Sequence, residues 1–77
     1  MAFYIRIEKL EETVSEATFR FYDPAFPNEV GELRLSKVDE SITMLKATRQ
    51  AVFVRAARKV AVAHKAGPLP IFLEWAS

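Results

Sequence analysis

The chain has 77 residues, of which 51% are apolar and 27% are charged, and its formal net charge at pH 7 is +1. A chain of this length holds one hydrophobic core, so we predict a single domain over residues 1–77. The chain has no Cys and one His, which excludes disulfides and thiolate metal sites. Of the usual means of stabilising so small a domain, self-association remains.

The first part of the sequence predicts a β-hairpin. Apolar and polar residues alternate over residues 2–10 and again over residues 15–22, which is the period-two pattern of half-buried strands. The polar residues 11–13 link them, and residues 23–28, with two prolines, predict a loop. The side chains that would face the core are Phe3, Ile5, Ile7, Ala17, Phe19 and Phe21.

Two more strands are predicted before the helix. Residues 30–36 alternate in the same way, and residues 37–41 form a polar turn. Residues 42–45 predict a shorter strand whose alternation is broken by Leu45. The core-facing side chains here would be Leu33, Leu35, Ile42 and Met44.

The region rich in Ala, Arg and Lys predicts a helix over residues 48–66. Thr48 is the candidate N-cap. Gly67 is expected to take a left-handed C-terminal conformation, and Pro68 forbids continuation. At 100° per residue, one side of the helix gathers Phe53, Ala56, Ala57, Val60 and His64. The other side gathers Arg55, Arg58, Lys59 and Lys65, with Val62 among them.

Residues 71–75 predict a fifth strand after Pro70. The element order β-β-β-β-α-β indicates an α+β fold, a two-layer domain in which one helix packs across the apolar face of an antiparallel sheet. The last strand could pair within its own chain or reach a second subunit, and the pattern leaves both open.

Charge is distributed unevenly along the chain. Residues 1–40 have nine acids and five bases, a net of −4, and residues 41–77 have six bases and Glu74, a net of +5. The helix would therefore present Arg55, Arg58, Lys59 and Lys65 as a cationic strip. Such a strip is a candidate contact for phosphates or an acidic partner, and the alternative is a solvated face balanced by the acidic strands. The sequence pI of about 8.1 is below the usual range of nucleic-acid-binding domains.

The outward face of the hairpin is a second candidate surface. It interleaves Tyr4, Arg6, Arg20 and Tyr22, the mixture on which single-stranded nucleic acids stack. Neighbouring Glu residues would repel phosphates, and cross-strand pairs of this kind also stabilise an ordinary solvated sheet face.

Three aromatic residues, Trp75 near the C-terminus with Phe72 and Phe26, form the third candidate. A Trp in this position either covers the core or anchors a partner protein. Since other aromatic residues already supply the predicted core, Phe72 and Trp75 are candidates for an interface with another protein or a second copy.

Catalytic groups are few. His64, the one His, is expected to pack near the end of the helix. No Ser lies in a nucleophile-elbow motif, and the paired acids at residues 11–12 and 39–40 are expected in turns rather than in a cleft. We therefore predict a protein that is not an enzyme, without a cofactor or a metal.

Three segments of the C-terminal third carry a resemblance: Arg-Ala-Ala-Arg-Lys at residues 55–59, Gly-Pro-Leu-Pro at residues 67–70 and Trp-Ala-Ser at residues 75–77. In these the chain resembles a group of short bacterial proteins. The resemblance implies a small stand-alone bacterial protein and brings no activity, cofactor or partner.

The start of the chain runs directly into the first strand pattern, and no apolar stretch reaches the length of a membrane span. We therefore expect a cytoplasmic protein without a membrane anchor. The function predicted from the sequence is a non-catalytic protein-interaction module that forms a homodimer. The alternative is nonspecific nucleic-acid binding through the basic helix face.

Overall fold

The computed structural model describes residues 4–76. The elements are β1 (Tyr4–Glu12), β2 (Glu16–Tyr22), β3 (Gly31–Ser36), β4 (Ile42–Lys46), α1 (Gln50–Ala66) and β5 (Phe72–Ala76). This order and the single sheet under one helix confirm the predicted α+β two-layer fold. The expectation that Phe3 faces the core lies outside the described residues.

The five strands form one antiparallel sheet in the order β4-β3-β2-β1-β5. The last strand, β5, pairs with β1 of its own chain, from Tyr4 opposite Ala76 to Glu8 opposite Phe72. Of the two placements that the sequence leaves open, the structure has the one within the chain. The two strands left at the edges of the sheet are therefore β4 and β5.

The core lies between α1 and the face of the sheet that we call the inner face. Alternate residues of β1, β2 and β3 supply most of it, as predicted, and the helix contributes Val52, Ala56 and Val60. Phe53 and Ala57 are only partly buried against this core, because the buried stripe of the helix is centred nearer Val52 than the sequence pattern indicates. The buried side chains of the sheet are Ile5, Ile7, Ala17, Phe19, Phe21, Leu33 and Leu35.

The ends of α1 differ in part from the prediction. The residue before the helix is Arg49, which has extended backbone and makes no side-chain cap. The expectation that Thr48 is the N-cap is therefore wrong; its hydroxyl instead lies 3.4 Å from the carbonyl oxygen of Glu29. Gly67 does follow the helix with a positive φ of 146° and a ψ of −151°, an extended region that is essentially restricted to glycine and differs from the predicted left-handed helical one.

Two irregularities shape the sheet. The pairing of β1 with β2 shifts between Lys9 and Glu11, and the pairing of β3 with β4 shifts between Glu32 and Leu33. At the first shift an extra residue enters β1, which is a β-bulge. Lys9, before the bulge, lies opposite Phe19 by the regular alternation, and Glu12, after the bulge, lies opposite Ala17. Both polar residues therefore fall on the inner face of the sheet.

Candidate interaction surface

The predicted cationic strip is spread over more than one side of α1. Arg58 and Lys65 are exposed, whereas Arg55 and Lys59 are half-buried at the margins of the helix. Arg55 donates from Nη1 to the carbonyl oxygen of Ala51, 3.0 Å away on its own helix. The four cations therefore do not form one uniform row toward solvent.

Phe72 and Trp75 lie on opposite faces of the sheet. Phe72 is opposite Glu8 on the outer face, where the guanidinium carbon of Arg6 lies 5.2 Å from the centre of its ring. Trp75 is opposite the buried Ile5 and packs partly against the core. The two aromatic residues that the sequence groups together therefore belong to different surfaces.

A surface depression brings Trp75 together with part of the basic helix face. It is lined by Val54, Arg55, Arg58 and Trp75, and we call it the α1–β5 groove. Val54 remains 42% exposed although it is apolar. The groove thus combines apolar area, two guanidinium groups and an indole ring at the edge strand β5.

The groove also holds polar groups without a partner. The indole nitrogen Nε1 of Trp75 is buried and has no hydrogen-bond partner in the described part of the chain. Arg58 makes no hydrogen bond or ion pair with residues 4–76. An unpaired buried donor costs roughly 1–3 kcal/mol, which applies to the Trp75 nitrogen. Arg58 is exposed, so its guanidinium group is the one that a ligand can reach directly.

Two acids lie near basic side chains at the two ends of the helix. Glu29 pairs with Arg49 at 3.6 Å, and Glu40 lies 3.7 Å from His64. The segment from residue 41 to residue 73 contains no acid of its own. By sequence, residues 41–73 therefore have a surplus of positive charge.

A second depression lies at the C-terminal end of α1, where Lys65 and His64 face Glu12 and Lys37. The two oxygens of Glu12 accept from the amino groups of Lys9 and Lys37 at 2.5 and 2.6 Å. Lys9 also donates to the carbonyl oxygen of Leu69 at 3.0 Å. Hydrogen bonds from Lys37 and Lys9 lower the pKa of Glu12 to about 2.

We call these three residues the Lys9–Glu12–Lys37 clamp. The sequence predicts residues 11–12 in a turn, and the structure places them in β1, so that expectation is wrong. The bulge turns Glu12 inward, and no pattern in the neighbouring residues predicts the bulge. Since both carboxylate oxygens are occupied by ammonium groups, the clamp ties β1 to the segments at residues 37 and 69 rather than presenting a base to a ligand.

The acids at residues 39–40 do lie after β3 in a turn, as predicted. Asp39 accepts from the hydroxyl and the amide of Ser41, at 2.7 and 3.0 Å. These hydrogen bonds, with the hydroxyl of Ser41 the largest contribution, lower the pKa of Asp39.

The outer face of the sheet is paired within itself. Arg20 donates to Glu8 at 2.5 Å, and Arg34 lies 3.8 Å from Glu16. The Tyr4 hydroxyl donates to Glu74, which raises the pKa of Tyr4. The guanidinium groups and rings that could hold a nucleic acid are thus mostly engaged with neighbours on the same face, as the solvated alternative predicts.

Residues 4–76 contain no group of three or more His, Cys, Asp or Glu side chains that could hold a metal ion. None of the helices described has the length and apolar character needed to cross a bilayer. Comparison with protein-family models, with curated proteins and with solved structures finds no match for this chain.

Proposed function

We propose that this protein is a non-catalytic interaction module that binds an acidic segment of another protein in the α1–β5 groove. The proposal rests on one observation: a single depression is lined by Arg55, Arg58, Trp75 and Val54. Trp and Arg are the residues most enriched among the energetic hot spots of protein interfaces. The proposal also keeps the expected cytoplasmic location, which the absence of Cys supports.

The charge of the groove decides the class of partner. Positive charge that is not neutralised locally attracts and orients a negatively charged partner. Arg58 is the residue most available for this, because it is exposed and makes no ion pair within residues 4–76. Trp75 and Val54 add the apolar area that an acidic protein segment can cover and a simple anion cannot.

The same charge argues against a second copy as the occupant of the groove. In a twofold homodimer the same surface patch faces itself. Two grooves facing each other would bring Arg58 close to its own equivalent, and like charges at an interface oppose association. Homodimer formation through another surface of the domain stays a prediction.

Nonspecific nucleic-acid binding is the second candidate. It is favoured by three cations, Arg58, Lys59 and Lys65, which make no ion pair with the described residues. It differs from the first proposal in what it requires, because phosphate contacts along a strand use every cation of the helix about equally. Binding in the α1–β5 groove should depend far more on Arg58, which lines the groove, than on Lys65, which does not.

The test compares Arg58→Glu with Lys65→Glu, two variants with the same change of net charge. Binding is followed by the fluorescence of Trp75, the one Trp of the chain, during titration with a glutamate-rich peptide and, separately, with a single-stranded oligonucleotide. We expect Arg58→Glu to weaken peptide binding by about tenfold or more, the equivalent of about 1.4 kcal/mol. Lys65→Glu should change it less than about twofold.

Two results would overturn the proposal. If both variants lose the oligonucleotide equally and the unmodified protein ignores the peptide, the helix is a nonspecific phosphate surface. If light scattering gives the mass of two subunits and Arg58→Glu returns it to one, the groove is a homodimer contact.

A further inference from the structure

We infer that the acidic segment binds as an additional β-strand along the open edge of β5, with its carboxylate on the side that faces α1. The inference rests on the proposed function and adds to it a binding mode and a sequence pattern for the ligand. Adding a strand to an exposed sheet edge is a general way of binding extended peptides, in which main-chain hydrogen bonds give affinity and alternate side chains give specificity.

The two edges of the sheet are not equally suited to this. The β3–β4 pairing is interrupted between Glu32 and Leu33, and β4 ends in the exposed Leu45 and Lys46. Bulges and Lys residues are common means of blocking a sheet edge. The β1–β5 pairing is regular over its five residue pairs, so β5 offers the more regular template for another strand.

The register shows which backbone groups of β5 point outward. The amide of Lys9 donates to the carbonyl oxygen of Ile71 at 2.8 Å, which marks this pair as a hydrogen-bonded one. Hydrogen-bonded and non-hydrogen-bonded pairs alternate in antiparallel strands. Leu73 and Trp75 therefore direct their N–H and C=O groups toward β1, and the residues between and beyond them direct theirs to the open edge. These outward residues are Phe72, Glu74 and Ala76.

The side chains of an added strand would alternate between two environments. Those opposite Leu73 and Trp75 would project toward α1 and the α1–β5 groove, since Leu73 and Trp75 themselves pack on the inner face. There a carboxylate of the added strand meets the exposed guanidinium group of Arg58. The neighbouring side chains of the added strand would lie beside Glu74 on the outer face, where an acid would be repelled.

The ligand is therefore an extended segment of a partner protein with an acidic residue at every second position and no acid between. The probes are two peptides of alternating Val and Thr that carry two Glu residues, either two positions apart or directly adjacent. The first peptide places both carboxylates on the α1 side, whereas the second places one of them beside Glu74. We expect the first peptide to bind at least tenfold more tightly.

The protein variants separate the backbone contribution from the charge. Glu74→Pro removes an N–H that points away from β1, so the β1–β5 hydrogen bonds remain. Glu74→Thr removes the same carboxylate and keeps that N–H. If the segment binds as a strand, Glu74→Thr should bind the first peptide at least tenfold more tightly than Glu74→Pro.

Amide hydrogen exchange gives a second measurement that does not depend on the Pro variant being folded. In the unmodified protein, the amides of Phe72, Glu74 and Ala76 should exchange rapidly when free and become protected when the peptide is bound. The amides of Leu73 and Trp75 should be protected in both states. Equal protection of the two sets with and without peptide would overturn the inference.

The peptide-binding results distinguish failure of the strand-addition mode from failure of the proposed function. If Arg58→Glu loses the peptide while Glu74→Pro and Glu74→Thr bind it equally, the groove binds acidic segments but not as a strand. If the unmodified protein binds neither peptide, both the inference and the proposed function are wrong.

Discussion

The two faces of the sheet are made by the same strands but are stabilised in different ways. On the inner face Phe19, Phe21 and Leu33 are completely shielded from solvent. On the outer face, side chains from the same strands form ion pairs such as Arg20 with Glu8. Burial of apolar area dominates stability, whereas exposed ion pairs contribute little. The inner face therefore holds the fold together, whereas the outer face mainly keeps itself neutral and solvated.

The largest effect should come from the inner face. Phe19→Ala removes a fully buried ring and should cost about 3–5 kcal/mol of unfolding free energy, a large part of the roughly 4–12 kcal/mol expected for a domain of this size. Thr18→Val, on the outer face of the same strand, should stay within about 0.5 kcal/mol. Urea unfolding followed by circular dichroism measures both. If the alanine variant does not fold, Phe19→Leu should still fold and lose about 1–2 kcal/mol.

The next effect concerns the closest packing on the inner face. A Cβ atom at Gly31 would lie 2.5 Å from Cζ of Phe21 and 2.8 Å from Cγ2 of Thr48. Because the Phe21 ring is enclosed by the core, Gly31→Ala should cost about 1–3 kcal/mol. Phe21→Leu removes the ring atoms of this clash and leaves Thr48 in place, so the double variant should be more stable than the sum of the single costs by at least about 0.5 kcal/mol. Additive costs would contradict the clash.

The Lys9–Glu12–Lys37 clamp is a charged exception on the inner face, and its effect should depend on pH. The folded pKa of Glu12 is about 2, below its ordinary value of 4.5. The stability that this adds is therefore present above pH 4.5 and is lost as the pH falls through about 2.

Glu12→Gln should therefore lower stability above pH 4.5 and flatten the pH dependence below it. Urea unfolding over this range, with Glu11→Gln on the outer face as the matched control, measures the difference. Identical pH profiles for the two variants would show that the clamp does not bind the carboxylate in solution.

The smallest effect is expected on the outer face. A double-mutant cycle of Glu8→Ala and Arg20→Ala, whose charged atoms lie 2.5 Å apart, should give a coupling of about 0.2–1 kcal/mol. The coupling should fall as salt is added, because exposed charges are screened. A coupling that is several times larger, or that ignores salt, would break the distinction between the two faces.

Most of the fold could be predicted from the sequence because local patterns agree with it. Alternation in β1, β2 and β3 assigns the core side chains, and the composition of residues 50–66 favours a helix whatever its surroundings. The break at Leu45 is a real irregularity, since the β3–β4 pairing skips Leu45 between the pairs Leu33–Met44 and Glu32–Lys46. The separation of Phe72 from Trp75 was also predictable, because residues three apart in a strand point to opposite faces.

The features that could not be predicted depend on long-range placement. The bulge that turns Glu12 inward has no signature in residues 9–11. Of the partners in the clamp, Lys37, which donates to Glu12, and Leu69, which accepts from Lys9, are distant in the chain. The α1–β5 groove exists only because β5 pairs with β1, which the sequence leaves open. It is therefore the pairing of β5 with β1 that brings Trp75 close to Arg58 of the helix.

The interior place of β1, between β2 and β5, has a consequence for synthesis of the protein. In the chain β1 precedes α1 and β5, and its Tyr4 pairs with Ala76 of β5. β1 therefore receives its second neighbour only after the helix has been translated. Until then β1 is itself an unprotected sheet edge, and such edges are where nascent chains associate with one another. Hairpins β1–β2 and β3–β4 can form during elongation, but completion of the sheet must wait for β5. Deletion of β5 should therefore yield an aggregating chain rather than a smaller stable domain.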